Sequence, residues 1–327
     1  MKYFYDSKYL ITTGGRVLKT ITILVPCYNE EEVINIFYEE VVKIIDKIDY
    51  NFEILFVNDG SKDMTLNKII AMRINDSRVS YVDLSRNYGK EIAMAAGLDH
   101  VTGDAVIIMD ADLQDPPSLI PTMIEEWEKG YDDVYAKRSS RKGESFMKKF
   151  TSHCFYRLLS KLSKVEIQKD TGDFRLLNRK AIDALKQFRE SGRYTKGLFS
   201  LIGFKKKEIL FDRDERAAGK TKWNYWKLIG LAIEGITTFT IMPLRIATFI
   251  GGFTGLFAFI YMIYIVLRTL IVGVELPGYA SLVSIMLFIG SIQLVGIGIL
   301  GEYVGRIFNE TKNRPLYFIN KYEGDKE

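Results

Sequence analysis

Residues 246–267 run for 22 positions without a charged side chain, and residues 276–301 run for 26. A helix needs about 20 apolar residues to cross the hydrocarbon core of a bilayer, so each stretch is long enough. Ile, Leu, Phe and Val fill twelve places in the first. At about 0.3–0.6 kcal/mol apiece they favour insertion, before glycine and threonine subtract. A buried core helix is the competing reading, but a soluble fold rarely places two such segments in succession across a short linker. Gly251 with Gly255, and Gly301 with Gly305, space small residues four apart, which suits close helix contact. Glycine is also simply common in membrane helices.

Charge at the flanks sets an orientation. Lys220, Lys222, Lys227 and Arg245 precede the first stretch, and Arg306, Lys312, Arg314 and Lys321 follow the second, whereas the linker offers Arg268 and Glu275. Excess Lys and Arg mark the cytoplasmic side, and two spans return the chain to the side it left. The expectation is a multi-pass inner (plasma) membrane protein with both termini in the cytoplasm. Ahead of the spans, Trp223, Tyr225 and Trp226 interleave with Lys222 and Lys227, the makeup of a helix lying in the membrane interface. The first twenty residues mix charges into short apolar runs and contain no secretory h-region.

The remaining chain is long enough for one sizeable α/β domain: the sequence has 327 residues and 47% hydrophobic content. With 45 Lys and Arg against 41 Asp and Glu, the net charge of +4 argues against a dedicated nucleic-acid binder. Cys27 and Cys154 lack metal-ligand spacing and read as reduced thiols. Between residues 20 and 140, β-rich runs alternate with helical patterns. Thr20–Val25, Glu53–Val57, Val79–Leu84 and Ala105–Met109 read as strands, and Glu31–Ile48, Met64–Ile74, Gly89–Val101 and Ser118–Lys129 as helices. Continuous apolar runs such as Val106 to Met109 suit strands covered on both faces, hence a Rossmann-like, mostly parallel sheet. The division expected is an extension over 1–19, a cytoplasmic α/β domain over 20–220, an amphipathic helix over 221–242, two membrane helices over 243–303 and a tail over 304–327.

Ligands of such sheets bind beyond the carboxyl ends of the strands, where the polar clusters fall. Strand one runs into Pro26, Cys27, Tyr28, Asn29 and Glu30, so that Tyr28 can stack on a base and Glu30 accept from it; a turn before an acidic helix start has the same composition. Strand two ends in Asn58, Asp59, Gly60 and Ser61. Asp59 is placed to accept from a ribose or base, or simply to form an Asp-Gly turn. Strand four leads into Asp110, Ala111, Asp112, Leu113, Gln114, Asp115, Pro116 and Pro117. Two carboxylates two apart at a strand end can turn oxygens to one point, which suits Mg²⁺ or Mn²⁺ completed by a diphosphate.

This ordered set, with Arg86-Asn87-Tyr88-Gly89-Lys90, resembles the inverting GT-A glycosyltransferases of family 2. More narrowly it is similar to the polyisoprenyl-phosphate glycosyltransferases, relatives of dolichol-phosphate mannose synthase that include bacterial undecaprenyl-phosphate glucosyltransferases. The likeness continues through Asp170 to Leu177 and Arg216 to Trp223 and covers nearly all the chain after residue 20. It implies a nucleotide pocket of Pro26, Tyr28, Glu30 and Asp59, a metal at Asp110 and Asp112 with Gln114, and diphosphate-holding cations Arg216 and Lys222. The partners it implies are a nucleotide-sugar, UDP-glucose first, and a polyisoprenyl phosphate in a lipid bilayer. Self-association into a homo-oligomer is compatible with it. Asp112 and Asp173 are the expected catalytic carboxylates, Asp173 supporting the reacting centre or acting as base.

Arg138 and Arg141, in the basic run 137–142, are candidates to grip the acceptor phosphate while Phe146, Phe150 and Phe155 meet its lipid tail. A solvated basic loop drawn to anionic lipid is the plain alternative. Among rival functions, a Rossmann dehydrogenase lacks its Gly-x-Gly-x-x-Gly after strand one. A processive polysaccharide synthase would need a Gln-x-x-Arg-Trp motif and the spans for a channel, which this sequence does not offer, and a non-catalytic scaffold has no use for both Asp110 and Asp112.

Overall fold

The computed structural model describes residues 18–139, 171–211, 241–273 and 278–324. Four strands form where the apolar runs lie: β1 (Thr20–Cys27), β2 (Asn51–Asn58), β3 (Val79–Leu84) and β4 (Ala105–Ile108). They pair in parallel, β1 between β2 and β4, with β3 beyond β2. The connections are α1 (Ile34–Ile45), α2 (Thr65–Asn75) and α3 (Lys90–His100). A 3₁₀ turn at Pro117–Leu119 leads into α4 (Ile120–Glu128). The proline-rich entry makes that first turn 3₁₀, so α4 starts later than the sequence pattern suggests.

Side chains alternate across the sheet. Ile21, Ile23 and Val25 of β1 pack with Ile34, Phe37, Val41 and Ile45 of α1, a stripe spaced three and four apart, and with Ile120, Met123 and Trp127 of α4. Leu24 points the other way, against α3. A Cβ on Gly97 would lie 2.2 Å from Leu24 Cδ1, so the absent side chain lets α3 sit directly on β1.

The sheet then departs from the simple alternation. Its order is β7-β5-β6-β4-β1-β2-β3-β8, with β5 (Asp133–Arg138), β6 (Thr171–Asn178), β7 (Lys206–Phe211) and β8 (Ile319–Glu323). Strand β6 runs antiparallel to both β4 and β5, and β8 antiparallel to β3. The remaining strands share one direction, giving a mixed but mostly parallel sheet. Short helices α5 (Arg179–Leu185) and α6 (Thr195–Leu201) cover the α3 face.

Two long helices, α7 (Met242–Val272) and α8 (Tyr279–Thr311), follow. Both are long and apolar enough to cross a membrane, and each outruns its uncharged stretch. Phe249 is 77% exposed and Ile271 81%, which rules out a buried core helix. At Gly251, Gly255, Gly301 and Gly305 an added Cβ would meet nothing within 4 Å, so these glycines are not where α7 and α8 of one chain approach closely. After α8 the chain re-enters the domain as β8, where Val82 pairs with Tyr322 and Ser85 N–H donates to Phe318 C=O at 2.9 Å. The segments before and after the hairpin thus belong to one sheet.

Candidate active site

The loops leaving β1 and β2 are bound to each other. Asn29 N–H donates to Ser61 Oγ at 3.0 Å, Lys62 N–H to Asn29 Oδ1 at 2.8 Å, and Glu30 N–H to Thr65 Oγ1 at 2.8 Å. Asn29 takes φ 54° at this junction, a left-handed conformation that asparagine tolerates. A cavity of about 440 Å³ opens there, lined by Asn29, Glu30, Glu31, Glu32, Val33, Lys62 and Asp63. Pro26 is the penultimate residue of β1, and Tyr28, just past the strand, is 42% exposed.

Asp59 is buried just past β2. One carboxylate oxygen accepts from Tyr88 N–H at 2.7 Å and the other from Gly89 N–H at 2.9 Å. Burial pushes its pKa up against the pull of those two amides. The loop is pressed so closely onto Gly60 that a Cβ there would stand 2.4 Å from the carbonyl carbon of Arg86, and Gly60 has φ +64°; only glycine fits. Asp59 therefore anchors the Arg86–Gly89 loop, a role its sequence context did not reveal. A carboxylate has about four lone-pair sites, so two anchors leave room for a nucleoside hydroxyl.

The antiparallel course of β6 builds the centre. Ile108 of β4 pairs with Arg175 of β6, so continuing that register by two residues brings Asp110 opposite Asp173. Lys90, the first residue of α3, joins them: its ammonium lies 2.6 Å from Asp110 Oδ1, 2.7 Å from Asp110 Oδ2 and 2.6 Å from Asp173 Oδ2. Desolvation works against the charge on Lys90, but the two carboxylates outweigh it and hold its pKa above the usual range. Burial likewise pushes Asp173 up, while Lys90 and Lys196 more than reverse this and leave it below the ordinary carboxylate range. The other Asp173 oxygen is buried with no hydrogen-bond partner among the described residues.

Asp112 follows in a tight turn. Its Oδ1 accepts from Gln114 N–H at 3.1 Å, Leu113 takes φ 56°, and Gln114 and Asp115 are buried. Among the described residues no cluster of three His, Cys, Asp or Glu side chains forms a complete cage. Two carboxylates supplemented by substrate oxygens are nevertheless the donor set of a hard divalent ion that keeps waters and phosphate ligands, so Asp110 and Asp112 fit one.

Glu91 accepts from Thr195 N–H at 2.9 Å and from its hydroxyl. Burial, then the nearby Asp173, raise its pKa. Beneath the site, fully buried Arg175 pairs with Asp133 at 3.1 Å and stacks 3.6 Å from the Phe199 ring centre. Arg138 closes β5 at the same sheet edge, its Nε buried without a partner among the described residues. Arg141, Arg216 and Lys222 lie outside the described residues, as do Cys154, the phenylalanines at 146, 150 and 155, the Trp223–Lys227 segment and residues 1–17.

Sequence reasoning named Lys90 without giving it a task, and missed Glu91. The signal available for Lys90 was positional: a lysine at the first residue of a helix stands at the end where the helix dipole repels cations.

The glycosyl transferase family 2 model matches residues 22–186, and the GtrB C-terminal hairpin model matches residues 242–307. The chain is 47% identical over 301 residues to a prophage bactoprenol glucosyl transferase homolog of Escherichia coli K12, covering 92% of this chain and 98% of that one. It is 46% identical over 301 residues to the bactoprenol glucosyl transferase of Shigella phage SfII, covering 92% and 97%. A glucosyl-3-phosphoglycerate synthase from Mycobacterium tuberculosis, solved with Mn²⁺, uridine diphosphate and phosphoglyceric acid, superposes with a TM-score of 0.50 at 20% identity, covering 67% of this chain and 77% of that one. That likeness shows the shared fold. With its carboxylates gathered at the strand ends and its two-helix hairpin in place, the chain belongs to glycosyltransferase family 2, in the branch that carries the GtrB C-terminal hairpin.

Proposed function

We propose that this glycosyltransferase moves glucose from UDP-glucose to undecaprenyl phosphate at the cytoplasmic face of the membrane. The observation that carries the reading is the meeting of Asp110 and Asp173 at one sheet edge, in a domain whose sheet is completed by the strand following two membrane-length helices. The relatives' names supply the glucosyl group and the bactoprenyl acceptor. The β3–β8 pairing supports an arrangement with the domain and tail on one side, and the basic flanks favour the cytoplasm.

In this reading Tyr28 stacks on the uracil, while Pro26, Glu30 and Asp59 bound the nucleoside pocket. Asp110 and Asp112, with Gln114, would hold Mg²⁺ or Mn²⁺, which when bound neutralises charge growing on the leaving diphosphate. Arg216 and Lys222 supply further positive charge to that diphosphate. Arg138 and Arg141 grip the acceptor. A phosphate oxygen attacks the anomeric carbon, the bond from that carbon to the UDP oxygen breaks, and UDP departs with the electron pair. The product is inverted at the anomeric centre. Because the phosphate is already an anion, proton removal is not required, and Asp173 orients the acceptor or a sugar hydroxyl.

The test is turnover by the full chain in lipid nanodiscs with undecaprenyl phosphate and radiolabelled UDP-glucose, GDP-mannose or UDP-galactose. Label should enter the lipid from UDP-glucose, with inverted stereochemistry and a requirement for divalent metal. Faster transfer from another donor overturns the sugar assignment, and no transfer to lipid from any donor overturns the acceptor.

A further inference from the structure

We propose that Lys90 is the resident counter-cation of the active site, a positioning residue that holds Asp110 and Asp173 together before substrates arrive and yields Asp110 when the divalent ion binds. The inference rests on the metal reading above and assigns a task to a side chain that reading leaves unused.

Three observations carry it. First, the ammonium spans both oxygens of Asp110 and one of Asp173, all within 2.6–2.7 Å. A divalent ion needs an Asp110 oxygen at about 2.0–2.6 Å, which places it within a few ångströms of the ammonium. Like charges so close repel strongly, so the two cations compete for one carboxylate. Second, Asp173 lies in β6 and Asp110 two residues past β4, whose last registered pair is Ile108 with Arg175, so the sheet carries the two carboxylates to one place. A positive charge between them offsets their mutual repulsion. Third, Lys90 stands at the first residue of α3, where the helix dipole disfavours a cation. Helix stability gives no reason for it, whereas the two carboxylates do.

On metal loading, Lys90 releases Asp110 and keeps Asp173, its second anchor. Asp173 thereby retains an ion-pair partner and its place, so the acceptor side of the site is held while the donor side is rebuilt around the metal. No bond is made or broken in this exchange.

Mn²⁺ binding to the full chain in nanodiscs without nucleotide, followed by the electron paramagnetic resonance signal of the free ion, tests the exchange. Wild type is compared with Lys90→Met and Lys90→Arg, and thermal melting reports folding. Removing the competitor should tighten Mn²⁺ binding in Lys90→Met at least about threefold, while kcat falls and the KM for UDP-glucose stays within about twofold. Lys90→Arg, which keeps the charge, should bind Mn²⁺ like wild type. Unchanged or weaker Mn²⁺ binding by Lys90→Met overturns the proposal, as does tighter binding by Lys90→Arg equal to that of Lys90→Met. If Lys90→Met does not fold, Lys90→Gln is read by the same criteria. Wild type that binds no Mn²⁺ overturns the proposal together with the metal reading, whereas wild type that binds it with no change on substitution overturns this proposal alone.

Discussion

Ser191 donates both its backbone N–H, at 2.9 Å, and its hydroxyl, at 2.6 Å, to one carboxylate oxygen of Glu310. Glu310 lies in the last turn of α8, and Ser191 in the loop that enters α6, whose Thr195 holds Glu91 next to Lys90. The two-helix hairpin is thus tied to the domain at its exit as well as through β8. Tyr317 reinforces the tie, its hydroxyl donating to Asp99 of α3 at 2.7 Å while Arg189 pairs with the same carboxylate. The two membrane-length helices and the elements carrying Asp110 and Asp173 are therefore tied together.

Removing residues 313–327 should lower the melting temperature and weaken UDP-glucose binding, although none of the described residues removed lines the cavity beside β1. Asn320 Nδ2 donates to Asp83 Oδ2 at 2.8 Å, and Asp83 in turn accepts from Asn58 at 2.7 Å, immediately before Asp59. Loss of β8 also leaves β3 as an open edge. Calorimetry of the truncated chain checks the prediction, and wild-type stability together with wild-type affinity would refute it.

Asp112→Asn keeps the side-chain shape but removes a charge from the donor set. Turnover should fall by about a hundredfold or more, equivalent to ~3 kcal/mol of barrier, with little change in melting temperature because Asp112 is only partly buried. Activity of the variant retained in a chelator would end the metal assignment.

The parallel half of the sheet was legible because β1 to β4 are apolar runs between helical patterns. Strand β6 was not: its TGDFRLLN sequence contains Asp173 and Arg175, which interrupt the apolar run. Arg175 is buried only because Asp133 and Phe199 lie there to receive it, and both are distant in sequence. Strands β7 and β8, KKEILF and INKYE, carry the charges expected of sheet edges and so lack an apolar pattern. The Asp110–Lys90–Asp173 arrangement follows from the β4–β6 register, a long-range fact no local motif contains. What the motifs after β1 to β4 did locate was the sheet edge, since each of those falls at its strand's carboxyl end.

Asp173 should not set the acid limb of the pH–rate profile. Burial raises its pKa, but Lys90 and Lys196 together bring it below the ordinary value of 3.8. Its ion-pair stabilisation is therefore fully present above that value and is lost as pH falls through the lower folded value. Between about pH 5 and pH 9 its charge is constant. The acceptor's second phosphate ionisation, near 6, should govern the limb instead. Asp173→Asn should lower kcat while leaving the acid inflection in place, measured as kcat/KM for undecaprenyl phosphate. An inflection that disappears with the substitution would make Asp173 a titrating base.

Arg138 tests the acceptor side of the centre. It ends β5, the strand paired with β6, and Lys137 beside it pairs in register with Thr171, two residues before Asp173. Its Nε is buried without a partner among the described residues, a costly state for a charged donor that a phosphate would relieve. A guanidinium can bond such a phosphate through two parallel N–H groups, and hydrogen bonds to charged groups are worth about 1.5–3 kcal/mol. Arg138→Ala should therefore raise the KM for undecaprenyl phosphate about tenfold or more and leave that for UDP-glucose within about twofold. Adding Arg141→Ala should deepen the first effect without creating the second. Titrating each substrate against the variants separates the outcomes: equal losses for donor and acceptor, or none for either, would remove Arg138 from the acceptor site.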